Sequence, residues 1–183
     1  MGNNFIFQDQ LADLSVCDKI IEYHVNGNQY FGQSSGGVNK DKKDSIDVVL
    51  QMDSYLYDDY TNQLKLVIDK FIEKYPRSAN TASWGLVEQV QIQKYPPLGG
   101  YHVYHCERTT GKHPICNRHL VFMTYLNDVN DKGQTEFLYQ DVAIEPKKGL
   151  TLVWPVDWTH THRGIPSPSQ TKYIVTGWLS FLN

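Results

Sequence analysis

Histidines and a carboxylate fall into two tight groups in the second half of the chain. His105 and Glu107 form an H-x-E pair, and His160 and His162 form an H-x-H pair further on. In an extended strand, residues i and i+2 point to the same side, so each group can aim its side chains at one point. Two imidazoles and one carboxylate leave coordination positions free, as in the facial triad of non-haem Fe(II) enzymes. These residues predict a metal centre made of His105, Glu107 and one of the two later histidines.

The elements that precede these groups have helical spacing. Val16, Ile20 and Tyr23 recur at helical intervals, and Ser15 with Asp18 resembles a capping box, so the pattern predicts a helix over 15–25. A second apolar pattern begins at Ile46 and continues to Tyr75, where Pro76 ends it. Between them, segment 26–45 is rich in Gly, Ser, Asn and Lys. It predicts an exposed loop or a lid.

After Trp84 the hydrophobic period changes from helical to two. Alternation over 86–94 predicts a strand, and apolar runs bounded by Gly or Pro predict further strands at 119–126, 135–144, 150–154 and 173–182. Several short strands without intervening helices are typical of a jelly roll or a barrel. We therefore expect a helical first part packed on a strand-rich second part.

Composition excludes several classes of protein. The net charge is -3, so the basic excess that binds a phosphate backbone is missing and we expect no nucleic-acid partner. No apolar run approaches the length of a bilayer crossing, so we expect no membrane segment. The three cysteines form no CxxC motif, which indicates neither a disulfide framework nor a structural zinc site. A reducing, cytoplasmic location fits best.

Read together, the motifs of the second half resemble the prolyl 4-hydroxylase-like branch of the Fe(II)/2-oxoglutarate dioxygenases. The resemblance extends from 84 to 182 and loosely includes the helices of 5–75. Order and spacing agree at Tyr95, Gly100, His105-x-Glu107, Arg118, Tyr125-Leu126-Asn127, Gly133-Gln134-Thr135-Glu136-Phe137, Pro146-Lys147-Lys148-Gly149, His162-x-Gly164-x-Pro166, Lys172-Tyr173 and Trp178.

The resemblance implies an α+β fold, a double-stranded β-helix (jelly roll) with supporting N-terminal helices. We expect one domain over 1–183, with helical support and a lid loop in 1–83 and the catalytic core in 84–183. It also implies an enzyme that uses Fe(II), 2-oxoglutarate and O2, with ascorbate as a candidate reductant. The implied reaction is hydroxylation of an unactivated C–H bond, with a prolyl residue in a peptide or protein as the expected substrate.

Carried over by position, the resemblance assigns the iron ligands to His105, Glu107 and His162. Glu107 stands where the family usually has Asp, and its longer arm can still reach a metal. His162 is preferred to His160 because Gly164, Pro166 and the later basic residue match the family only from His162. His160 is then expected beside the site rather than in it.

The remaining assignments also follow from the resemblance. Lys172 is expected to pair with the distal carboxylate of 2-oxoglutarate, Tyr125 to hydrogen-bond the same end, and Tyr95 to line the cosubstrate pocket. A buried dicarboxylate needs such a countercharge. Arg118 and Trp178 are expected to contact the substrate peptide.

Three alternatives remain open. A cupin-like metal enzyme would use the same ligands without a cosubstrate, although Lys172 and Tyr125 argue against it. A jelly-roll binding module with incidental histidines would have no need of the ligand set together with a distal cation. A dioxygenase of this kind acting on free proline, another amino acid or a small molecule would use the same metal centre.

Overall fold

Antiparallel sheets form the centre of the protein in the computed structural model, which describes residues 3–34 and 36–182. The ends of the expected 1–183 domain, Met1, Gly2 and Asn183, lie outside the described residues, as does Ser35. The helices in the described residues are α1 (Ser15–Asn26) and α2 (Tyr55–Lys74). The strands are β1 (Phe7–Gln10), β2 (Tyr30–Phe31), β3 (Gln33–Ser34), β4 (Gly37–Val38), β5 (Ile46–Leu50), β6 (Trp84–Leu86), β7 (Val90–Tyr95), β8 (Arg118–Tyr125), β9 (Thr135–Phe137), β10 (Val142–Ile144), β11 (Leu150–Pro155), β12 (His162–Gly164) and β13 (Lys172–Phe181).

The larger sheet has eight strands in the order β1-β11-β8-β13-β7-β5-β2, with β6 paired to β13. A smaller sheet, in the order β10-β9-β12, lies against its inner face, where Phe137 packs edge-on against Trp154 with ring centroids 5.3 Å apart. β3 and β4 form a separate hairpin. This arrangement is the predicted double-stranded β-helix, and the α+β fold class is confirmed.

Both faces of the larger sheet are buried, which explains why its central strands are apolar on both sides. On β13, Val175 and Leu179 face the helices and join one hydrophobic cluster, whereas Ile174 and Trp178 face the smaller sheet and join another. The cluster under the helices contains Phe71 of α2, among others. The helices therefore support the sheet from behind and leave its inner face to form a site.

The two helices differ in how well the sequence predicts them. Helix α2 buries residues at spacings of three and four, and the Ser54 hydroxyl accepts a hydrogen bond from the Leu56 amide at its start. Helix α1 matches the predicted span, but the capping box is wrong. The Ser15 hydroxyl donates to one oxygen of Asp13, the other Asp13 oxygen accepts from the Ser15 amide, and Leu14 at the N-cap makes no side-chain cap.

The apolar pattern from Ile46 is a strand rather than the start of a helix. Ile46–Leu50 forms β5 and pairs with β7 over five residues, Ile46 to Leu50 against Lys94 to Val90. The run is rich in β-branched residues, which favour strands. Met52, counted in the helical pattern, is exposed. The first half of the chain thus adds β1, β2 and β5 to the main sheet besides its helices.

Segment 26–45, predicted as a loop or lid, contains β2 and the β3–β4 hairpin. None of the helices in the described parts of the chain combines the length and apolar character that crossing a bilayer requires.

Candidate active site

A cavity of about 410 Å³ opens on the inner face of the larger sheet. Alternation along the strands directs side chains into it, as on β13, where Lys172, Ile174, Thr176 and Trp178 all line the cavity. The ligand set predicted from the sequence lies in the same cavity. The lining also includes His105, Glu107, His162, Tyr95 and Arg118.

His105, Glu107 and His162 meet at one point. Their ligand atoms lie within 4.8 Å of one another, with Glu107 Oε1 3.4 Å from His105 Nε2 and 3.6 Å from His162 Nε2. The backbones of His105 and His162 exchange two hydrogen bonds of 2.9 Å, which sets the two imidazoles side by side. The Glu107 amide donates to the carbonyl of Val156. The site is therefore fixed by backbone pairing between two segments that are distant in sequence.

Backbone carbonyls hold both imidazoles in the state that binds a metal. His105 Nδ1 lies 3.1 Å from the Val103 carbonyl, and His162 Nδ1 lies 2.9 Å from the His160 carbonyl. A carbonyl accepts only, so each Nδ1 carries a hydrogen, and Nε2, the nitrogen nearer Glu107, is the atom available to a metal. The Tyr101 ring stacks on the His105 imidazole, with centroids 3.6 Å apart.

The second oxygen of Glu107 is held from the opposite side. Trp178 Nε1 donates to Glu107 Oε2 at 2.9 Å, and Arg118 Nη1 lies 3.7 Å from the same oxygen. The carboxylate therefore presents one oxygen to the two imidazoles and keeps the other in a hydrogen bond. This bracing compensates for the freedom of the longer Glu side chain at a position where the resembled family has Asp.

Glu107 and His162 are in the protonation state that a cation requires. Burial raises the pKa of Glu107, but its hydrogen bond to His105 and the charges of His105, His162 and Arg118 outweigh burial and lower this pKa to about 2. Burial, aided by His105, lowers the pKa of His162 to about 4. At neutral pH the carboxylate is ionised and His162 is neutral.

His160, the rival for the third ligand, is occupied elsewhere. Its Nε2 lies 3.0 Å from the Asn4 carbonyl and its Nδ1 lies 3.0 Å from the Thr159 hydroxyl. Both ring nitrogens are thus engaged, and the ring lies outside the ligand cluster. The geometry supports the preference for His162.

Lys172 is a buried cation without a counter-ion in the described parts of the chain. Its side chain is 4% exposed, and its Nζ donates to the carbonyls of Gly133 (2.7 Å) and Ile165 (3.4 Å). Burial lowers its pKa to about 8. A Cβ at Gly164 would lie 3.7 Å from this Nζ, so glycine there leaves room beside the ammonium. A buried charge of this kind requires an anion.

A model of the 2OG-Fe(II) oxygenase superfamily matches residues 90–180. The chain belongs to this superfamily. It is a 2-oxoglutarate-dependent dioxygenase that uses Fe(II), 2-oxoglutarate and O2. No curated protein sequence matches the chain.

Solved structures of prolyl hydroxylases have the same fold as this oxygenase. A viral collagen prolyl hydroxylase from Paramecium Bursaria Chlorella virus-1, in complex with 2OG, is 18% identical with a TM-score of 0.72, over 97% of each chain. A Pseudomonas putida prolyl-4-hydroxylase is 18% identical with a TM-score of 0.71, over 96% of this chain and 92% of that one. A Trichoplax adhaerens prolyl hydroxylase in complex with a hypoxia inducible factor peptide fragment is 16% identical with a TM-score of 0.76, over 98% and 84%.

The donor set of the oxygenase fits its two cofactors. Two Nε2 atoms and one carboxylate oxygen would hold Fe(II) and leave positions open. Lys172, which has no counter-ion among the described residues, would hold the distal carboxylate of 2-oxoglutarate. The space beside Gly164 would admit this carboxylate.

The two tyrosines predicted for the cosubstrate pocket differ in position. Tyr95 lines the cavity, with its ring 5.3 Å from Lys172 Nζ. Tyr125 lies behind the cavity wall. Its hydroxyl donates to the Thr135 hydroxyl at 2.6 Å, and Thr135 is the residue that faces the cavity. Thr135, which the sequence analysis did not select, therefore stands between Tyr125 and a ligand. The one feature of the sequence that pointed to Thr135 was its place in the Gly133-Gln134-Thr135-Glu136-Phe137 motif.

Arg118 and Trp178 both line the cavity, and the guanidinium stacks on the indole, 3.5 Å from its centroid. Two of the Arg118 nitrogens pair with Glu88 (2.9 and 2.7 Å), and a third donates to the Glu107 carbonyl. Both residues thus brace the metal ligand Glu107. Their predicted contact with a substrate peptide stays a prediction. Sequence analysis missed Glu88, which lies in the segment between β6 and β7, thirty positions before Arg118.

Glu107→Gln should bind far less metal, because the neutral amide no longer offsets the charge of the cation. We expect metal affinity at least about 10-fold weaker, whereas Glu107→Asp should retain some metal binding and activity. Titration with Fe(II) under anaerobic conditions, followed by tryptophan fluorescence, measures this. Glu73→Gln, on the exposed side of α2, is the matched control. Equal iron occupancy in Glu107→Gln and wild type would remove Glu107 from the ligand set.

Proposed function

We propose that the protein hydroxylates a prolyl residue within a peptide or protein. The observation that carries the proposal is that one cavity joins the His105, Glu107 and His162 cluster to the buried Lys172 and to the flat pair of Arg118 and Trp178. The three solved relatives named above are prolyl hydroxylases, and one of them is in complex with a peptide fragment. These likenesses support a prolyl substrate.

Bound Fe(II) and 2-oxoglutarate would activate O2, which is the oxidant: one oxygen atom goes to the substrate carbon and the other to 2-oxoglutarate, which loses CO2 and becomes succinate. The protein supplies geometry. His105, Glu107 and His162 hold the metal through lone pairs that the Nδ1 hydrogen bonds and the Trp178 indole orient. Lys172 fixes the far end of the cosubstrate and so sets its direction.

Apolar walls exclude water from the reacting region. Val121, Met123 and Ile174 line the cavity, and Trp154 and Phe137 pack against the His162 ring. Exclusion of water strengthens the electrostatic contacts within the site. The Trp178 ring, held flat by its stack with Arg118, provides an apolar surface for a proline ring.

We also propose that the protein acts in a reducing compartment, the cytoplasm. Cys17, Cys106 and Cys116 are all free thiols. Burial raises the pKa of Cys17 to about 11 and also raises that of Cys106, so both stay as thiols rather than reactive thiolates.

Proline-rich peptides should gain one oxygen atom when incubated with the protein, Fe(II), ascorbate and 2-oxoglutarate, while free amino acids should not. Mass spectrometry of both substrate sets in parallel measures the gain, and omission of 2-oxoglutarate is the control. Arg118→Ala should reduce the peptide reaction about 10-fold or more, since a charged donor and part of the flat wall are lost. Oxygen gain confined to free proline or a small molecule, with Arg118→Ala active, would overturn the peptide assignment.

A further inference from the structure

A second buried cation lies in the cavity, on the wall formed by β5 and β7. Lys43 is 5% exposed, and its Nζ lies 2.7 Å from Asp47 Oδ2. The Ser45 hydroxyl donates to the other oxygen, Asp47 Oδ1, also at 2.7 Å. We call Lys43, Ser45 and Asp47 the 43–47 cluster. The three residues alternate along the chain and so share one face, a polar pattern that the sequence analysis missed.

The 43–47 cluster is sealed by Gly32. A Cβ at Gly32 would lie 2.0 Å from the Ser45 hydroxyl and 3.0 Å from Lys43 Cε, so only glycine lets the chain pass this close. The Gly32 amide donates to the Ser45 carbonyl at 2.9 Å. The cluster is therefore enclosed by backbone on one side, while Lys43 faces the cavity on the other.

This wall offers hydrogen-bond donors but no free carboxylate oxygen. Both oxygens of Asp47 are taken, while the Lys43 ammonium has three N–H groups and bonds only Asp47 among the described residues. Gln93, directly opposite Asp47 in the β5–β7 register, also lines the cavity. Its Oε1 accepts from the Tyr95 hydroxyl, and its amide N–H groups have no partner in residues 3–34 and 36–182. A ligand here must accept hydrogen bonds.

The charges on this wall are already balanced. Asp47 neutralises Lys43 and Glu88 neutralises Arg118, whereas Lys172 has no counter-ion in the described chain and is left for the cosubstrate. A free carboxylate beside Lys43 would add an uncompensated buried charge, which is costly. A neutral acceptor adds none.

We propose that Lys43 and Gln93 form a substrate subsite that donates hydrogen bonds to a backbone carbonyl oxygen of a peptide. The inference rests on the proposed function and deepens it. The subsite selects a residue within a peptide over a free amino acid, because the Lys43–Asp47 ion pair has no spare positive charge to neutralise a free carboxylate. Asp47 acts as a positioning residue that fixes the ammonium.

The test measures binding rather than turnover. The wild-type protein with Fe(II) and 2-oxoglutarate is kept anaerobic, and the affinity of an N-acetylated, C-amidated proline peptide and of free L-proline is measured by calorimetry. The double variant Lys43→Met/Asp47→Asn removes the donor without leaving a buried carboxylate unpaired. We expect this variant to weaken the affinity for the capped peptide about 10-fold or more and to leave the affinity for 2-oxoglutarate unchanged.

The matched control is Lys65→Met/Asp69→Asn, an exposed pair on α2 with the same spacing and a 2.6 Å contact, which should leave all affinities unchanged. Gln93→Leu tests the second donor in a background that keeps the ion pair. It should weaken the affinity for the capped peptide and leave the other affinities unchanged. Unchanged peptide affinity in Gln93→Leu and in the folded double variant would overturn the subsite. A loss seen with free proline but not with the capped peptide would overturn the carbonyl assignment.

Failure of the proposed function has a different signature. In that case the capped peptide binds the wild-type protein, and its affinity falls in Gln93→Leu and in the double variant, but aerobic reactions give no oxygen gain on the peptide. The subsite would then stand while prolyl hydroxylation would not.

Discussion

Replacing His162 or His105 with alanine should abolish 2-oxoglutarate turnover. Each substitution removes one of three protein ligands whose donor atoms lie within 4.8 Å of one another. Partners outside the ligand set are worth about 10–100-fold in metal affinity or activity, so loss of a ligand should cost more than roughly 100-fold. Anaerobic titration with Fe(II) and assay of succinate release measure the two effects separately, and both should fall together.

His160→Ala is the matched control, since it removes a neighbouring imidazole of the same kind. The His162 ring is held by the His160 carbonyl, which alanine retains, and the His160 ring itself bonds Asn4 and Thr159. Most of the turnover should therefore survive at temperatures where the variant is folded. If His160→Ala is inactive and His162→Ala is active, the ligand assignment is wrong.

Apolar runs bounded by Gly or Pro made the core strands of the fold predictable. On β13, the residues at 172, 174, 176 and 178 face the cavity while Val175 and Leu179 face the helices, so the apolar run has buried residues on both faces. The predicted strand over 173–182 is present as β13, whereas the single strand predicted over 135–144 is two antiparallel strands, β9 and β10, joined by a turn. Burial on both faces keeps such strands apolar, so they can be predicted from the sequence without knowing which strands they pair with.

Short apolar runs are where sequence reasoning failed. Ile46, Val49 and Leu50 have helical spacing by coincidence, and the choice between helix and strand was decided by pairing with the distant strand β7, in which Ile46 pairs with Lys94. Tertiary pairing of this kind overrides local propensity. The capping box failed for a local reason, because the Ser15 hydroxyl donates to Asp13, two residues before it, and does not cap a backbone amide in the helix.

The site was predictable in its ligands but not in their supports. The H-x-E and H-x-H motifs came from the residues, and the choice of His162 came from the family resemblance. The geometry now gives a physical reason, since both nitrogens of His160 are engaged. Thr135 in front of Tyr125, and Gln93 opposite Asp47, depend on which strands are neighbours and in what register. Spacing along one segment contains no such information.

Removing the Lys172 charge should sharply weaken 2-oxoglutarate binding while metal binding survives. The Lys172→Ala and Lys172→Met variants lose the ammonium, and Met keeps most of the volume. Breaking a buried charge pair costs about 3–5 kcal/mol, so the apparent KM for 2-oxoglutarate should rise by roughly two to three orders of magnitude. Lys147→Ala, at an exposed position, is the control and should leave this KM unchanged. Unchanged 2-oxoglutarate affinity in Lys172→Met would place the anchor of the cosubstrate elsewhere in the cavity.

The pH dependence of cosubstrate binding provides an independent test of the same lysine. Burial lowers the pKa of Lys172 to about 8, so in the free enzyme the ammonium is present below that pH and is lost as the pH rises through it. The dicarboxylate binds the charged form, and the KM for 2-oxoglutarate should therefore be constant on the acid side and climb above about pH 8. Since Lys172→Met has no charge to lose, its weaker binding should show no such climb over this range. The same climb in wild type and Lys172→Met would assign the titration to another group.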